Sequence, residues 1–267
     1  MNRTGLLLLV ALLVSSGCSR PAPPPPAPLS AADEASWNRV VAALQQVAEE
    51  YREALELGDP PAIQRRLAQL AGLLDHASGL LAAIGTPFAA GIDGQVKGIR
   101  ERILGIDYKL GSDCGTIADR ILAQVNLRRA PRAKPDLENG KRLFAQACAF
   151  CHGPDGTGPP PQVAKTFDPP PPDILHPDFN WSPYEMFNRI TYGGIETAMP
   201  SFEEGLAVQE RWDVVFWLFA ERWPPCTKPL PPLRADQLAV LGDYEVANQY
   251  GYGAASCLRR DFLPPAQ

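Results

Sequence analysis

Asn139-Gly140-Lys141-Arg142-Leu143-Phe144-Ala145-Gln146-Ala147-Cys148-Ala149-Phe150-Cys151-His152 is the stretch on which the reading of this chain turns. Two thiols stand two residues apart and a histidine follows the second directly. Cys148-Ala149-Phe150-Cys151-His152 is the C-x-x-C-H pattern of covalent haem attachment. On a helical turn the two thiols reach the two vinyl groups of one porphyrin, and the adjacent imidazole is aimed at the iron. A zinc knuckle is the first alternative, but it wants a second close Cys or His pair, and Cys114, Cys226 and Cys257 are solitary and distant. A thioredoxin-like redox pair is the other, and it wants a βαβ context that the surrounding sequence lacks. One covalently attached haem c, held by Cys148 and Cys151 with His152 on the iron, is the expectation.

The run from Asn139 through Phe144 into Cys-x-x-Cys-His-Gly resembles the N-terminal helix of class I cytochromes c. In that family a small residue and an aromatic, here Gly140 and Phe144, pack against a C-terminal helix. Arg211-Trp212-Asp213-Val214-Val215-Phe216-Trp217-Leu218 looks like that second helix, and close backbone approach explains the glycine. The likeness covers roughly residues 137–223 and implies an all-α haem domain. Gly193-Gly194-Ile195-Glu196-Thr197-Ala198-Met199-Pro200-Ser201-Phe202 resembles the family's methionine loop, which makes Met199 the second iron ligand. The chain's other candidates are fewer than usual. Of its 3 histidines, His76 sits on a helix of another region and His176 in a proline-rich loop. Met186 competes, but its place between Pro183 and Ile190 suggests a helix face on which methionine fills core. His/Met ligation leaves no vacant position on iron, which is the condition of an electron carrier rather than of an enzyme that binds oxygen, peroxide or nitrite. A backbone carbonyl, expected from the Asp168–Pro172 loop, should accept the other ring N–H of His152.

A narrower likeness lies in Pro170-Pro171-Pro172-Asp173, in Ser182-Pro183-Tyr184 through Asn188-Arg189-Ile190-Thr191, and in Thr197–Phe202. It is to cytochrome domains fused to, or encoded beside, bacterial high-affinity iron permeases, and it implies a redox role in iron uptake with a permease as partner. The segment Glu50-Tyr51-Arg52-Glu53-Ala54-Leu55 adds a looser match. Arg52-Glu53-Ala54-Leu55-Glu56 also fits the R-E-x-x-E iron motif of those permeases. Here it falls on a polar helix with Glu49, Glu50 and Asp59 around it, so it reads as a solvated charged face.

Outward from the haem motif the chain divides. Residues 1–18 read as an export signal: Arg3, an apolar stretch from Leu6 to Val14, then Ser15-Ser16-Gly17-Cys18, which resembles a lipoprotein cleavage box. The expectation is a periplasmic lipoprotein anchored to the membrane at Cys18; an ordinary secretory signal with Cys18 incidental is the alternative. Residues 19–29 are a proline-rich spacer of at most ~35 Å. Residues 30–128 read as an up-down helical bundle. Ser30 with Asp33 starts a helix whose apolar face runs Trp37, Val40, Val41, Leu44, Val47, Tyr51 and Leu55. Asp59-Pro60 opens a second helix. A third carries Gly91, Gly94 and Gly98, each costing ~1 kcal/mol against alanine. Ile117, Ile121 and Val125 mark a fourth.

Residues 129–135 join the bundle to the haem domain at 136–223, and residues 224–267 form a tail with a short helix near Ala235–Leu241 and a turn at Ala254–Arg260. Cysteine arithmetic leaves Cys114, Cys226 and Cys257. Cys226–Cys257 is the expected disulfide, because the tail has little core and gains from closure; Cys114 with either is the alternative.

Composition narrows the function. Hydrophobic residues make up 45 % of the 267 and the formal charge is −5, which argues for a folded protein and against a nucleic-acid partner. No apolar run beyond the N-terminus reads as a membrane span. Residues 137–223 hold 12 acidic and 6 basic side chains, a difference of −6. Such a face steers toward a basic redox donor or acceptor, unless it is charge for solubility alone. Besides the carrier, two functions stay open: a haem enzyme or sensor with a displaceable Met199, and a docking role for the helical bundle.

Overall fold

The computed structural model describes residues 29–168, 170–175, 181–194 and 197–266. The stretch read as an export signal, Cys18, the proline-rich residues through 28 and His176 lie outside them.

The bundle begins where the capping residues place it. Helix α1, Ala31–Leu55, starts at Ser30, whose hydroxyl accepts from the Asp33 N–H at 3.1 Å. Trp37, Val40, Val41, Leu44, Val47 and Tyr51 are buried along one stripe of α1, as a period of 3.6 requires. Asp59 caps α2, Pro60–Ile84, accepting from Ala62 N–H at 3.0 Å. Helix α2 is long and apolar enough to cross a membrane by length and composition alone, against the expectation that no apolar run beyond the N-terminus is. Its apolar face is instead buried against α1 and α3, Pro87–Arg102. Packing does not require the glycines of α3, since nothing comes within 4 Å of a Cβ added at Gly91, Gly94 or Gly98. Helix α4, Leu110–Gln124, packs on α1 and α3 and closes the four-helix arrangement. The Tyr51 hydroxyl donates to the Gly105 carbonyl at 2.6 Å and accepts from Asp107 N–H at 2.9 Å, fixing the α3–α4 turn.

The second group of helices is α5 (Leu137–Ala147), α6 (Ala149–His152), α7 (Pro161–Ala164), α8 (Pro183–Tyr192) and α9 (Val208–Glu221). Helices α5 and α9 cross at Gly140, where an added Cβ would lie 2.1 Å from the Asp213 carbonyl oxygen and 2.9 Å from Trp217 Cβ. Only glycine allows that approach. Phe144 tilts against Trp217 with ring centroids 4.8 Å apart. The Asp213 carboxylate accepts from Asp136 N–H at 3.0 Å and from Asn139 Nδ2 at 2.8 Å, tying the start of α5 to α9.

The tail is more structured than its composition announced. Short strands β1 (Leu233–Arg234) and β2 (Phe262–Leu263) pair in parallel, flanking α10 (Ala235–Leu238), α11 (Asp243–Tyr250) and α12 (Ala255–Leu258). Cys226 and Cys257 form the expected disulfide, and Cys114 is buried and unpaired. Arg259 is 1 % exposed, held by Asp243 Oδ1 at 2.9 Å and by the Leu238 carbonyl at 2.9 Å. A buried charge needs such partners. Phe262 packs on Phe216 of α9 at 4.9 Å, so the tail covers the outer side of that helix.

Helix α1 also packs on α8, which brings the bundle onto the second group. Tyr184 donates to Asn38 Oδ1 at 2.8 Å, Asn188 Nδ2 to Gln45 Oε1 at 3.2 Å, and Arg39 pairs with Glu203 at 2.6 Å. One hydrophobic core runs through both groups.

Candidate haem-binding site

The C-x-x-C-H turn is built by chain geometry. Helix α5 ends at Cys148, whose N–H donates to the Phe144 carbonyl at 2.9 Å. The single turn of α6 follows, with His152 N–H donating to the Cys148 carbonyl at 3.0 Å. Gly153 ends it at φ +76°, and a Cβ there would meet the Gly158 carbonyl oxygen at 2.3 Å. The turn leaves Phe150 79 % exposed and sends Cys148, Cys151 and His152 to the opposite side, into one cavity.

Met199 reaches the same cavity from a loop after α8. That loop is tied internally. Gly194 N–H donates to the Met199 carbonyl at 3.2 Å, Thr197 N–H to the Gly194 carbonyl at 2.8 Å, and Met199 N–H to Thr197 Oγ1 at 3.2 Å. Gly193 stands at φ +76° with the Met199 carbonyl oxygen 2.7 Å from where a Cβ would be. Met186 lines the cavity too, but from inside α8 at 3 % exposure. The structure therefore brings both methionines to the cavity, one on a loop and one in the core. His76 is exposed on α2, away from it.

The cavity encloses about 1310 Å³, solvent at its mouth included, and most of its wall is apolar: Phe144, Pro170, Ile174, Ile190, Val214 and Leu218 among others. Cys148 and Cys151 are unpaired thiols. Burial pushes the Cys148 thiol up to about 12, with the neighbouring Cys151 adding to it, so the group is a neutral thiol at any ordinary pH. Burial lowers the pKa of His152, opposed by the Pro172 backbone carbonyl, so the imidazole is held neutral, as an iron ligand must be. Nδ1 of His152 is buried and makes no hydrogen bond among the described residues, although the Pro172 backbone acts on the ring by raising its pKa against burial. Among the described residues no cluster of three His, Cys, Asp or Glu side chains has the arrangement of a metal site. An apolar cavity with two thiols, a neutral histidine and a thioether sulfur fits a haem.

Residues 135–218 match the family described as cytochrome C oxidase, cbb3-type, subunit III. The match supports a c-type cytochrome domain. It does not carry the narrower likeness to iron-permease cytochromes. No curated protein matches the chain. A solved structure, the Kuenenia stuttgartiensis reducing HAO-like protein complex Kustc0457/Kustc0458, aligns at 21 % identity over 43 % of this chain and 61 % of that one. Its TM-score is 0.33, and the likeness carries no argument. The alignment spans less than two thirds of that chain.

The cytochrome domain does not form the cavity alone. Glu49, Glu50 and Glu53 of α1 and Arg66 of α2 line it as well. Arg189 of α8 donates through Nη1 to Glu50 at 2.8 Å and through Nη2 to Glu49 at 3.1 Å, and Arg66 pairs with the other Glu50 oxygen. The Arg189 guanidinium lies 5.0 Å from the centre of the Trp181 ring. This corrects the reading of the whole face as solvated. Arg52, Glu53 and Glu56 are exposed as expected, but Glu50 is 7 % exposed and Glu49 is half-buried. Sequence reasoning missed the pair because its partners lie on α2 and 140 residues onward in α8.

Proposed function

We propose that this chain is an electron-transfer protein carrying one covalent haem c, exported to the periplasm and anchored there through Cys18. The observation that supports it best is the convergence of Cys148, Cys151, His152 and Met199 on one largely apolar cavity. Cys148 and Cys151 would hold the haem through thioether bonds, and His152 and Met199 would be the iron's protein ligands. A haem so held supplies one-electron redox chemistry at a potential set by its ligands and its burial. The remaining work falls to the chain. The Pro172 carbonyl sits in the field of the His152 ring, Gly193 and Thr197 hold the methionine loop, and the apolar wall excludes water. Donor and acceptor are redox proteins. The link to iron uptake, through an iron permease, rests on the sequence likeness around Ser182–Phe202.

Expression with the haem-maturation machinery, followed by a denaturing gel stained for haem and an intact mass, tests the reading. One haem that survives denaturation and a reduced form that does not bind carbon monoxide are the expected results. Absence of covalent haem overturns the proposal, and carbon monoxide binding at native pH moves the protein to haem enzymes or sensors.

A further inference from the structure

Glu49 and Glu50 are adjacent in sequence, share one guanidinium, and face the cavity that the haem-attachment residues face. Two carboxylates on one cation cannot both be fully compensated. The cations do not divide evenly. Among the described residues Glu50 pairs with Arg189 and Arg66, and Glu49 with Arg189. Arg52, three residues along α1, shares a cleft with Glu49; the other titratable neighbours are negative or neutral. Glu53 stands one turn along α1, and Glu185 of α8 adds to the repulsion. Asp119 of α4 shares a second cleft with Glu49, and Tyr108 of the α3–α4 turn a third. Glu49 is thus the carboxylate at which a proton resolves the excess of negative charge.

We propose that Glu49 is the proton-binding group of a redox-linked site, placed by the helical bundle against the haem cavity. The inference rests on the electron-transfer reading above. One electron from the donor protein lowers the charge at iron by one, and one proton from solvent binds the Glu49 carboxylate; oxidation releases both. Burial already pushes Glu49 up to about 8, against the pull of Arg189, so its titration falls near neutrality. The reduced haem holds the proton more tightly than the oxidised one, by Coulomb attraction across a poorly solvated wall.

The test is the haem midpoint potential of the full chain, measured by optical titration from pH 5 to pH 10. The wild-type potential should fall as pH rises through a window around Glu49's titration. The fall should be no steeper than tenfold in the reduced-to-oxidised ratio per pH unit, or ~59 mV for one electron. Glu49→Gln should give a potential level across that window, at the wild type's acid-side value. Arg189→Gln should move the window upward in pH, since it removes the cation that opposes protonation. A reversible haem whose wild-type potential is flat overturns the inference and leaves the electron-transfer reading standing. A slope that persists in Glu49→Gln, or that is lost in Glu185→Gln or Glu53→Gln instead, overturns it too. If Glu49→Gln does not accumulate, an Arg189→Gln window that stays in place does the same. A purified chain without covalent haem would sink both readings together.

Discussion

Asp213 presents its backbone carbonyl to Gly140 so closely that a Cβ on the glycine would lie 2.1 Å from that oxygen. The contact sits where α5 crosses α9, one turn before Phe144 and two before the haem-attachment turn. Helix separation here decides where Cys148 points. Gly140→Ala should therefore lose stability despite alanine's better helix propensity, by ~1–3 kcal/mol as overpacking typically does. Urea denaturation with covalent haem yield measured alongside would check it. An unchanged midpoint would show that the crossing can give way.

The Cys226–Cys257 bridge spans a separation of 31 residues. Replacing both with serine should cost ~3–4 kcal/mol in the chain-entropy account. Haem thioethers resist thiol reductants, so a wild-type denaturation curve with and without dithiothreitol isolates this bridge. Coincident curves would contradict a stabilising role.

Met199 and Met186 both line the cavity, and substitution separates them. Met199→Ala should open the iron to carbon monoxide, lower the potential and abolish the weak sulfur-to-iron absorption of oxidised His/Met haem. Met186→Leu should leave that absorption in place and change stability by less than ~1.5 kcal/mol, as volume-conserving swaps do. The reverse pattern would make Met186 the ligand.

Glu49 has a consequence for stability as well as for potential. Its pKa rises from an ordinary 4.5 to about 8 in the folded chain. Between those values the folded state binds more protons than the unfolded one, so stability falls as pH rises. Burial raises Glu53 and Glu185 in the same direction. Denaturation midpoints should therefore decline from pH 5 to pH 8, and decline less in Glu49→Gln. Equal slopes in the two proteins would place the responsible group elsewhere.

Arg189 holds two carboxylates at once, with 14 % of its side chain exposed. Its removal leaves both short of a cation in a poorly solvated wall. Arg189→Gln should cost ~3 kcal/mol, in the range for breaking a buried pair. A double-mutant cycle with Glu50→Gln should show coupling, and additive losses would argue against a shared network.

The sequence made the local structure readable because its signals are local. Ser30 and Asp59 mark helix starts through side chains that cap within three residues. The C-x-x-C-H turn follows from a spacing; the Gly140 crossing came from the likeness to class I cytochromes c, and the tail disulfide from weighing Cys226–Cys257 against pairings with Cys114. Contacts between distant segments were another matter. Glu49 and Glu50 sit among charged neighbours on a helix, which looks like solvent exposure until α8 and α2 bring Arg189 and Arg66. Helix α11 and the β1–β2 pair were invisible for a different reason. Two-residue strands and eight-residue helices have too little periodicity to detect, and their stability comes from packing around Arg259 and Phe262.

The loop that carries Met199 is tied by Gly194, Thr197 and Met199 to itself, by Ser201 Oγ to the Thr191 carbonyl at 2.7 Å, and by Phe202 N–H to the Ile190 carbonyl at 3.1 Å. On the proposed ligation, a thioether held by these bonds would shift little as the charge opposite it changes by one, and the rearrangement accompanying each electron would be small. Stiffness of this kind favours rapid exchange in either direction at modest driving force, and it is the α8-anchored backbone, more than the sulfur, that supplies it.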